Sequence, residues 1–363
     1  MKILEIIPQL SQGGAERFVV DLCNELVKKH KVELIVLHSI DKHGFFEKEL
    51  DDRVQIICMN KNMGIDWKLF FRIAKLIHRE QPDVVHTHLD AILYLIFPHF
   101  FFSKIKFIHT LHSDAYKEHN GFLSELYRRI MFGLRCVHPI TISEESQRSF
   151  KNLYHLPSTL IYNGRPAYIE TTDIPIIKKE LSDLKVNVKS KMIVNVARID
   201  KAKNQIALAK AIDSLNRKNF AIELAIIGNM ADKEIVHEIR SLDSPYVHLL
   251  GLRNNPRDYM KAADAFCLTS VYEGMPITLI ECFSVGAIPL CTPVGGIMNM
   301  ITDGQNGLLS NSPSQKDIEE LLLRFFALDD KEVNTIRQNS KVSFRSFDMA
   351  TCAERYLQTI RSL

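Results

Sequence analysis

The sequence predicts an α/β protein made of two doubly wound, Rossmann-like domains. Three observations predict it. The chain has 363 residues, more than one hydrophobic core ordinarily supports. Short β-branched runs alternate with segments of helical period along its length. That alternation stops once, in the proline- and charge-containing stretch 164–185, and then begins afresh.

In the first half, Lys2–Ile7, Val32–Leu37, Val54–Cys58, Asp83–His86, Lys106–His109, Pro139–Ser143 and Thr159–Tyr162 read as strands. Between the first two, Ala15, Phe18, Val19, Leu22 and Leu26 fall at helical spacing and form one apolar stripe. Continuous apolar strands separated by helices require a parallel sheet covered on both faces. The second series runs through Met192–Ala197, Ala221–Ile227, Val247–Leu249, Ala265–Leu268, Ile288–Cys291 and Gly307–Leu309, and charged helical segments follow from Ser314 onward. The domains divide into residues 1–170 and 171–346. Ligands of such sheets bind at the carboxyl ends of the strands, and two domains facing one another create a cleft there.

Composition narrows the class. Hydrophobic residues make up 46% and charged residues 25%, the balance of a globular enzyme. The seven cysteines are dispersed from Cys23 to Cys352 without a Cys-x-x-Cys pair, as expected of reduced cytoplasmic thiols. The formal charge of +3 is too mild for a nucleic-acid binder, and the excess lies in the first 165 residues. The apolar run Ala91–Phe102 contains Pro98 and His99 and is shorter than the ~20 residues of a membrane span. Glu5 interrupts Ile3–Ile7, so that segment reads as a strand and not as a signal peptide.

Three loops at predicted strand ends carry chemistry. The segment Ser270 to Gly286 follows the strand Ala265–Leu268; Pro276 suits the first turn of a helix and Gly286 its end. Free amides at that helix start form a natural seat for phosphate. Glu273 sits in the loop before the helix and Glu281 a turn and a half inside it, placing one carboxylate for a sugar ring and the other for a ribose diol. Arg198 and Lys203 both follow Met192–Ala197, where fixed cations stabilise the charge of a departing diphosphate. Gly13-Gly14, between the first strand and helix, lets backbone approach a ligand closely, and it is not the Gly-x-Gly-x-x-Gly dinucleotide fingerprint.

On these residues the chain resembles the family-4 retaining glycosyltransferases of the GT-B fold, from Lys2 to the end. The matching motifs are Gly13-Gly14-Ala15-Glu16, Asp83-Val-Val-His-Thr-His88, His109-Thr-Leu-His112, Ile161-Tyr-Asn163-Gly164, Arg198 with Lys203-Asn204, and Ile226-Ile-Gly228. The run from Ala263-Asp264 through Glu273, Glu281, Gly286, Gly295-Gly296 and Asp303-Gly304 to Asn306-Gly307-Leu308 completes them. The resemblance implies transfer of a sugar from a nucleotide-diphosphate sugar, UDP-sugar favoured, to a glycan or lipid-diphosphate-linked acceptor with retention. It implies that Arg198 and Lys203 grip the diphosphate, Glu281 binds the ribose, and Glu273 and the backbone at Met275 and Ile277 meet the transferred sugar. Thr278 and Leu279 would present amides to the phosphates, Gly13 and Gly14 would close over the donor, and His112 would sit near the sugar. It also implies that the last helix, about 347–363, packs back on the first domain. Met298-Asn299 and Gly228-Asn-Met-Ala231 depart from the family pattern, which bears on the base and sugar selected.

The chain contains no Asp-x-Asp, so side-chain cations and helix amides are expected to replace a metal, and no cofactor is implied. His86-Thr-His88 places two imidazoles on one strand face, but without an evident carboxylate or cysteine partner. Phe122–Leu134 sets Leu123, Leu126, Ile130, Met131 and Leu134 on one helical face beside Arg128, Arg129 and Arg135. With the aromatic run Phe97–Phe102 this fits either an anionic membrane surface, on the inner face of the plasma membrane, or a core-facing helix. Two other functions fit the architecture: a nucleotide-sugar epimerase or hydrolase, and a non-catalytic partner subunit that binds nucleotide sugar. Retention of Arg198, Lys203, Glu273 and Glu281 argues against the second.

Overall fold

The computed structural model describes residues 1–39, 45–62, 64–118 and 121–363. The chain forms two compact units, Met1–Pro166 with Phe347–Leu363, and Ala167–Ser346. The break falls after Pro166 and not at 170. Arg165 ties the first unit together there: its amide donates to Phe347 O and its carbonyl accepts from Met349 N, both at 2.9 Å.

The first unit holds a seven-stranded parallel sheet of β1 (Lys2–Ile7), β2 (Lys31–Val36), β3 (Gln55–Cys58), β4 (Val84–His88), β5 (Lys106–Leu111), β6 (His138–Thr141) and β7 (Thr159–Leu160), in the order β3-β2-β1-β4-β5-β6-β7. The second holds β8 (Lys191–Val196), β9 (Ile222–Ile227), β10 (Val247–Gly251), β11 (Ala265–Leu268), β12 (Pro289–Cys291) and β13 (Leu308–Leu309), in the order β10-β9-β8-β11-β12-β13. Each sheet reverses its direction of growth once, between β1 and β4 and between β8 and β11. The crevice outside the carboxyl ends at such a reversal is where doubly wound sheets bind ligands.

Helices on both faces explain the continuous apolar strands: Ile3 to Ile7 in β1 and all six residues of β9 are buried. The helix Gly14–Leu26 buries Phe18, Val19, Leu22 and Leu26, as its stripe predicts, and also Asp21, which pairs with the buried Arg165 guanidinium. The helix Met349–Ser362, capped by the Asp348 carboxylate, belongs to the first unit. It approaches Gly164 so closely that a Cβ there would lie 2.7 Å from Cys352 Cβ, and Lys106 Nζ donates to Ile360 O at 2.7 Å. None of the seven cysteines forms a disulfide. Among the described residues no helix is long and apolar enough to cross a membrane.

The helix at Phe122–Gly133 turns a different face inward from the one its apolar residues suggest. Arg128 is 0% exposed and donates to His109 Nε2 (3.0 Å), Glu118 O (2.9 Å) and Asp90 Oδ1 (3.2 Å). Met131 and Phe132 share the buried face, while Phe122, Leu123, Leu126, Ile130 and the following Leu134 are exposed, Leu123 at 78%. The core-facing alternative is therefore wrong for most of the stripe. An arginine with several acceptors stays inside, and the leucines stay out. In the aromatic run, Phe101 is exposed; the side chain of Phe100 lies outside the described residues.

Candidate active site

In the second unit the candidate residues gather at the β8/β11 reversal. The loop leaving β8 is shaped by Asp200. Its carboxylate accepts from the Lys203 amide (3.1 Å) and from Arg198 Nε (2.8 Å). Asn195, inside apolar β8, donates to Cys267 O of β11 at 2.8 Å, and Gln205 Nε2 donates to Arg198 O at 3.0 Å. These bonds hold the Arg198 backbone while its side chain remains 60% exposed.

The loop after β11 is fixed by backbone contact. The Gly296 amide donates to Gly274 O at 2.8 Å, and a Cβ on Gly296 would stand 2.3 Å from that oxygen. Thr292 Oγ1 donates to Ser270 O (2.6 Å), and the Val271 amide donates to Ala202 O (2.9 Å), joining this loop to the one after β8. Lys203 Nζ meets Glu273 Oε1 at 2.7 Å, and Ser270 Oγ donates to the same oxygen at 2.6 Å. Glu273 is thus a buried carboxylate held by a cation and a hydroxyl. Ser270 and Asp200 were not singled out from sequence; Asp200, two residues after Arg198, was the more readable of the two.

Pro276 caps the helix Ile277–Val285 with extended backbone, and Gly286 ends it in the left-handed region at φ 66°. The Leu279 amide donates to Pro276 O at 3.1 Å, and Leu279 is fully buried. That N–H closes the first turn. The outward amides at the helix start are those of Ile277 and Thr278, because the first turn of a helix has no internal acceptor for them. Met275, Ile277 and Glu281 are buried around the same helix start.

Gly13, Gly14 and His112 lie in the first unit, after β1 and β5. A Cβ on Gly13 would fall 2.1 Å from Glu16 Oε2, and Ser11 Oγ donates to Glu16 Oε1 at 2.9 Å. The space above Gly13 is taken by the carboxylate of the same motif. His112 is partly buried; its amide and that of Ser113 donate to Glu118. Burial raises the Glu118 carboxyl to about 7, although the Arg128 charge and these amides oppose it.

The arrangement in the second unit offers two cations, outward helix amides and a braced carboxylate at one ligand-binding crevice, which suits an anionic leaving group on a polyhydroxylated donor. Comparison with known proteins gives the class. Residues 177–342 match the model of Glycosyl transferases group 1, and residues 12–166 that of Glycosyltransferase Family 4. A protein of Campylobacter jejuni subsp. jejuni serotype O:2, the N-acetylgalactosamine-N,N'-diacetylbacillosaminyl-diphospho-undecaprenol 4-alpha-N-acetylgalactosaminyltransferase, is 30% identical over 371 residues, covering 97% of each chain. The chain belongs to the family-4 glycosyltransferases and has their GT-B fold. Among solved structures, a glycosyltransferase from Rickettsia africae aligns with a TM-score of 0.86 at 17% identity, covering 99% of this chain and 98% of that one. HepE from Anabaena, solved with UDP and glucose, aligns with a TM-score of 0.81 at 19% identity over the whole of both chains.

Proposed function

We propose that this glycosyltransferase moves a hexosyl or N-acetylhexosaminyl group from a UDP-sugar to a lipid-diphosphate-linked glycan, with retention of anomeric configuration and without a metal. The observation that carries the reading is the pairing of Lys203 with Glu273 beside Arg198 and the helix start at Ile277–Thr278. Arg198, Lys203 and the Thr278 amide meet the diphosphate. Glu281 takes the ribose, and Glu273 with the backbone at Met275 and Ile277 takes the sugar. Within the first unit, His112 is assigned to the sugar and Gly13 and Gly14 to the donor. The UDP of the HepE structure and the diphospho-undecaprenol acceptor named for the Campylobacter relative support the choice of substrates.

The bases available support retention. An inverting reaction needs a base opposite the leaving group. Glu273 is engaged by Lys203 and Ser270, which leaves the departing diphosphate oxygen to take the acceptor proton on the face the sugar leaves. Among the described residues, His112 is the candidate that could serve otherwise. A thermal-shift screen with UDP, GDP and ADP identifies the donor, since a ligand at 100 times its Kd adds about 2.7 kcal/mol. Proton NMR of the product then tests the stereochemistry: an α-linked donor gives an α-linked product, still formed in excess chelator. A β-linked product, or activity restored only by Mg²⁺ or Mn²⁺, refutes the reading.

The exposed apolar residues of the helix Phe122–Gly133, beside Arg129 and Arg135, support peripheral docking on an anionic membrane through the first unit. Vesicle binding is expected to weaken with salt and on Leu123→Glu substitution. Indifference to both refutes this part.

A further inference from the structure

Beneath the β1/β4 reversal lies a chain of buried polar side chains. The parallel register sets Glu5 beside His86, so both project from the same face, and His88 joins them two residues on. All three are at most 1% exposed. One oxygen, Glu5 Oε2, lies 2.9 Å from His86 Nδ1 and 2.8 Å from His88 Nε2. His86 Nε2 is 2.8 Å from the Thr110 hydroxyl, itself 2.9 Å from the Tyr356 hydroxyl. At the other end His88 Nδ1 is 2.9 Å from His112 Nε2. The Phe18 ring packs edge-on against His88 and His112, with centroids 6.3 and 5.6 Å away.

The donor–acceptor order follows from one end. Burial by itself would raise the Glu5 carboxyl, but the two imidazoles outweigh it and bring it down to about 2. An ionised carboxylate only accepts, so His86 Nδ1 and His88 Nε2 both carry protons. Burial, then the neighbouring His86, lowers His88 to about 4, so its ring is neutral near pH 7 and its Nδ1 is bare. That bare nitrogen accepts from His112 Nε2–H. Burial, followed by His88 and His86, likewise holds His112 well below its ordinary value. A neutral His112 protonated on Nε2 has an unprotonated Nδ1.

We propose that Glu5 and His88 are positioning residues for His112, holding it in the Nε2–H tautomer so that Nδ1 is the acceptor it offers to a sugar hydroxyl. The proposal rests on the glycosyl-transfer reading of His112 given above. It also accounts for a charged side chain in the middle of the apolar strand β1, where an unpaired carboxylate would be strongly destabilising. The ligand atoms of Glu5, His86 and His88 fall within 4.8 Å of one another, which also suits a metal ion and supplies the carboxylate that the pair of histidines lacked in the sequence. Each ring nitrogen already has a protein partner at 2.8 to 2.9 Å, and this favours the hydrogen-bonded chain.

The test uses the full chain labelled with ¹⁵N-histidine and two-bond ¹H–¹⁵N correlation, which reads the tautomer of each ring. His112 and His88 are expected to be protonated on Nε2 and bare on Nδ1. His88→Phe is expected to let the Nδ1–H form of His112 appear and to lower kcat roughly 10–100-fold, by analogy with the loss of a group that orients a metal-bound histidine. The KM for the donor is expected to stay unchanged. A wild-type His112 protonated on Nδ1 overturns the proposal, and that spectrum decides the matter even if His88→Phe does not fold. So does a folded His88→Phe protein with unaltered tautomer and kcat. One divalent ion per chain retained through dialysis against chelator also overturns it, since His86 Nδ1 and His88 Nε2 would then be ligands and not donors. A wild-type protein that transfers no sugar but shows the expected tautomers sinks the proposed function and leaves the hydrogen-bonded chain standing.

Discussion

Replacing Lys203 by alanine strips the buried Glu273 carboxylate of the cation 2.7 Å from it. At that separation two unit charges attract by about 6 kcal/mol in an effective dielectric of ~20. Desolvation offsets much of this, and the Lys203 side chain keeps 22% of its exposure, so water screens the pair further. A net coupling of roughly 2 kcal/mol remains. The two single substitutions are unequal. Lys203→Ala leaves Glu273 with Ser270 alone and is expected to cost about 3 kcal/mol, the low end for an abandoned buried charge. Glu273→Ala frees a lysine that can turn to solvent, at about 1 kcal/mol. The double variant is therefore expected to be more stable than Lys203→Ala by about 1 kcal/mol. Trp67, the single tryptophan, lies in the first unit, so fluorescence would report the wrong half and scanning calorimetry is the assay. The same substitutions separate binding from transfer. Glu273→Ala should bind UDP as tightly as wild type or more tightly, because Lys203 no longer has a competing carboxylate, yet lose transfer by ~10²-fold. A coupling below about 0.5 kcal/mol, or UDP binding weakened more than tenfold in Glu273→Ala, refutes the reasoning.

Glu281→Ala should weaken UDP binding by roughly 1.5–3 kcal/mol, the worth of charged hydrogen bonds; titration calorimetry showing unchanged affinity removes it from the ribose site. Gly296→Ala should lower both the melting temperature and turnover, because its Cβ would stand 2.3 Å from Gly274 O and push the Glu273 loop aside; unaltered values in both show that the loop gives way freely. Glu118 titrates near 7 when folded and near 4.5 when unfolded, so between those values the unfolded chain releases the proton first and stability falls as pH rises. Glu118→Gln keeps an acceptor for the His112 and Ser113 amides and should be more stable than wild type at pH 8 by a few kcal/mol, with the advantage vanishing below pH 4.5. A difference independent of pH refutes the raised value.

The strands were legible because each is an apolar run of the right length between turn or helix signals, and all thirteen predicted runs overlap the strands that form. The loop residues Arg198, Lys203 and Glu273 were legible for the same reason, since strand ends locate the ligand crevice. Other features depend on partners remote in sequence. Glu5 reads only as an interruption of an apolar segment until the β1/β4 register sets it beside His86, 81 residues away. Arg128 reads as a solvated neighbour of leucines; His109, Asp90 and the Glu118 carbonyl, gathered from elsewhere, make its burial tolerable and turn the leucines outward. Gly13 reads only as a tight turn or a close approach, and the Glu16 carboxylate, 2.1 Å from where a Cβ would stand, shows why a side chain has no place there. The Leu279 amide shows the finer limit: helix periodicity cannot say which of two neighbouring N–H groups bonds back to Pro276.

The return of Phe347–Leu363 to the first unit bears on how the protein is made. The sheet β1–β7 is complete once Pro166 has been made, but Tyr356, which meets Thr110 beside the Glu5 cluster, is translated 190 residues later. At ~5–20 residues per second that is a delay of roughly 10–40 s. Throughout it, the surface around Gly164, Lys106 and Thr110 that receives the helix Met349–Ser362 is uncovered. The nascent first unit is thus open to chaperones and proteases until Phe347–Leu363 has been made, and a premature stop after Ser346 would leave that unit permanently unsealed.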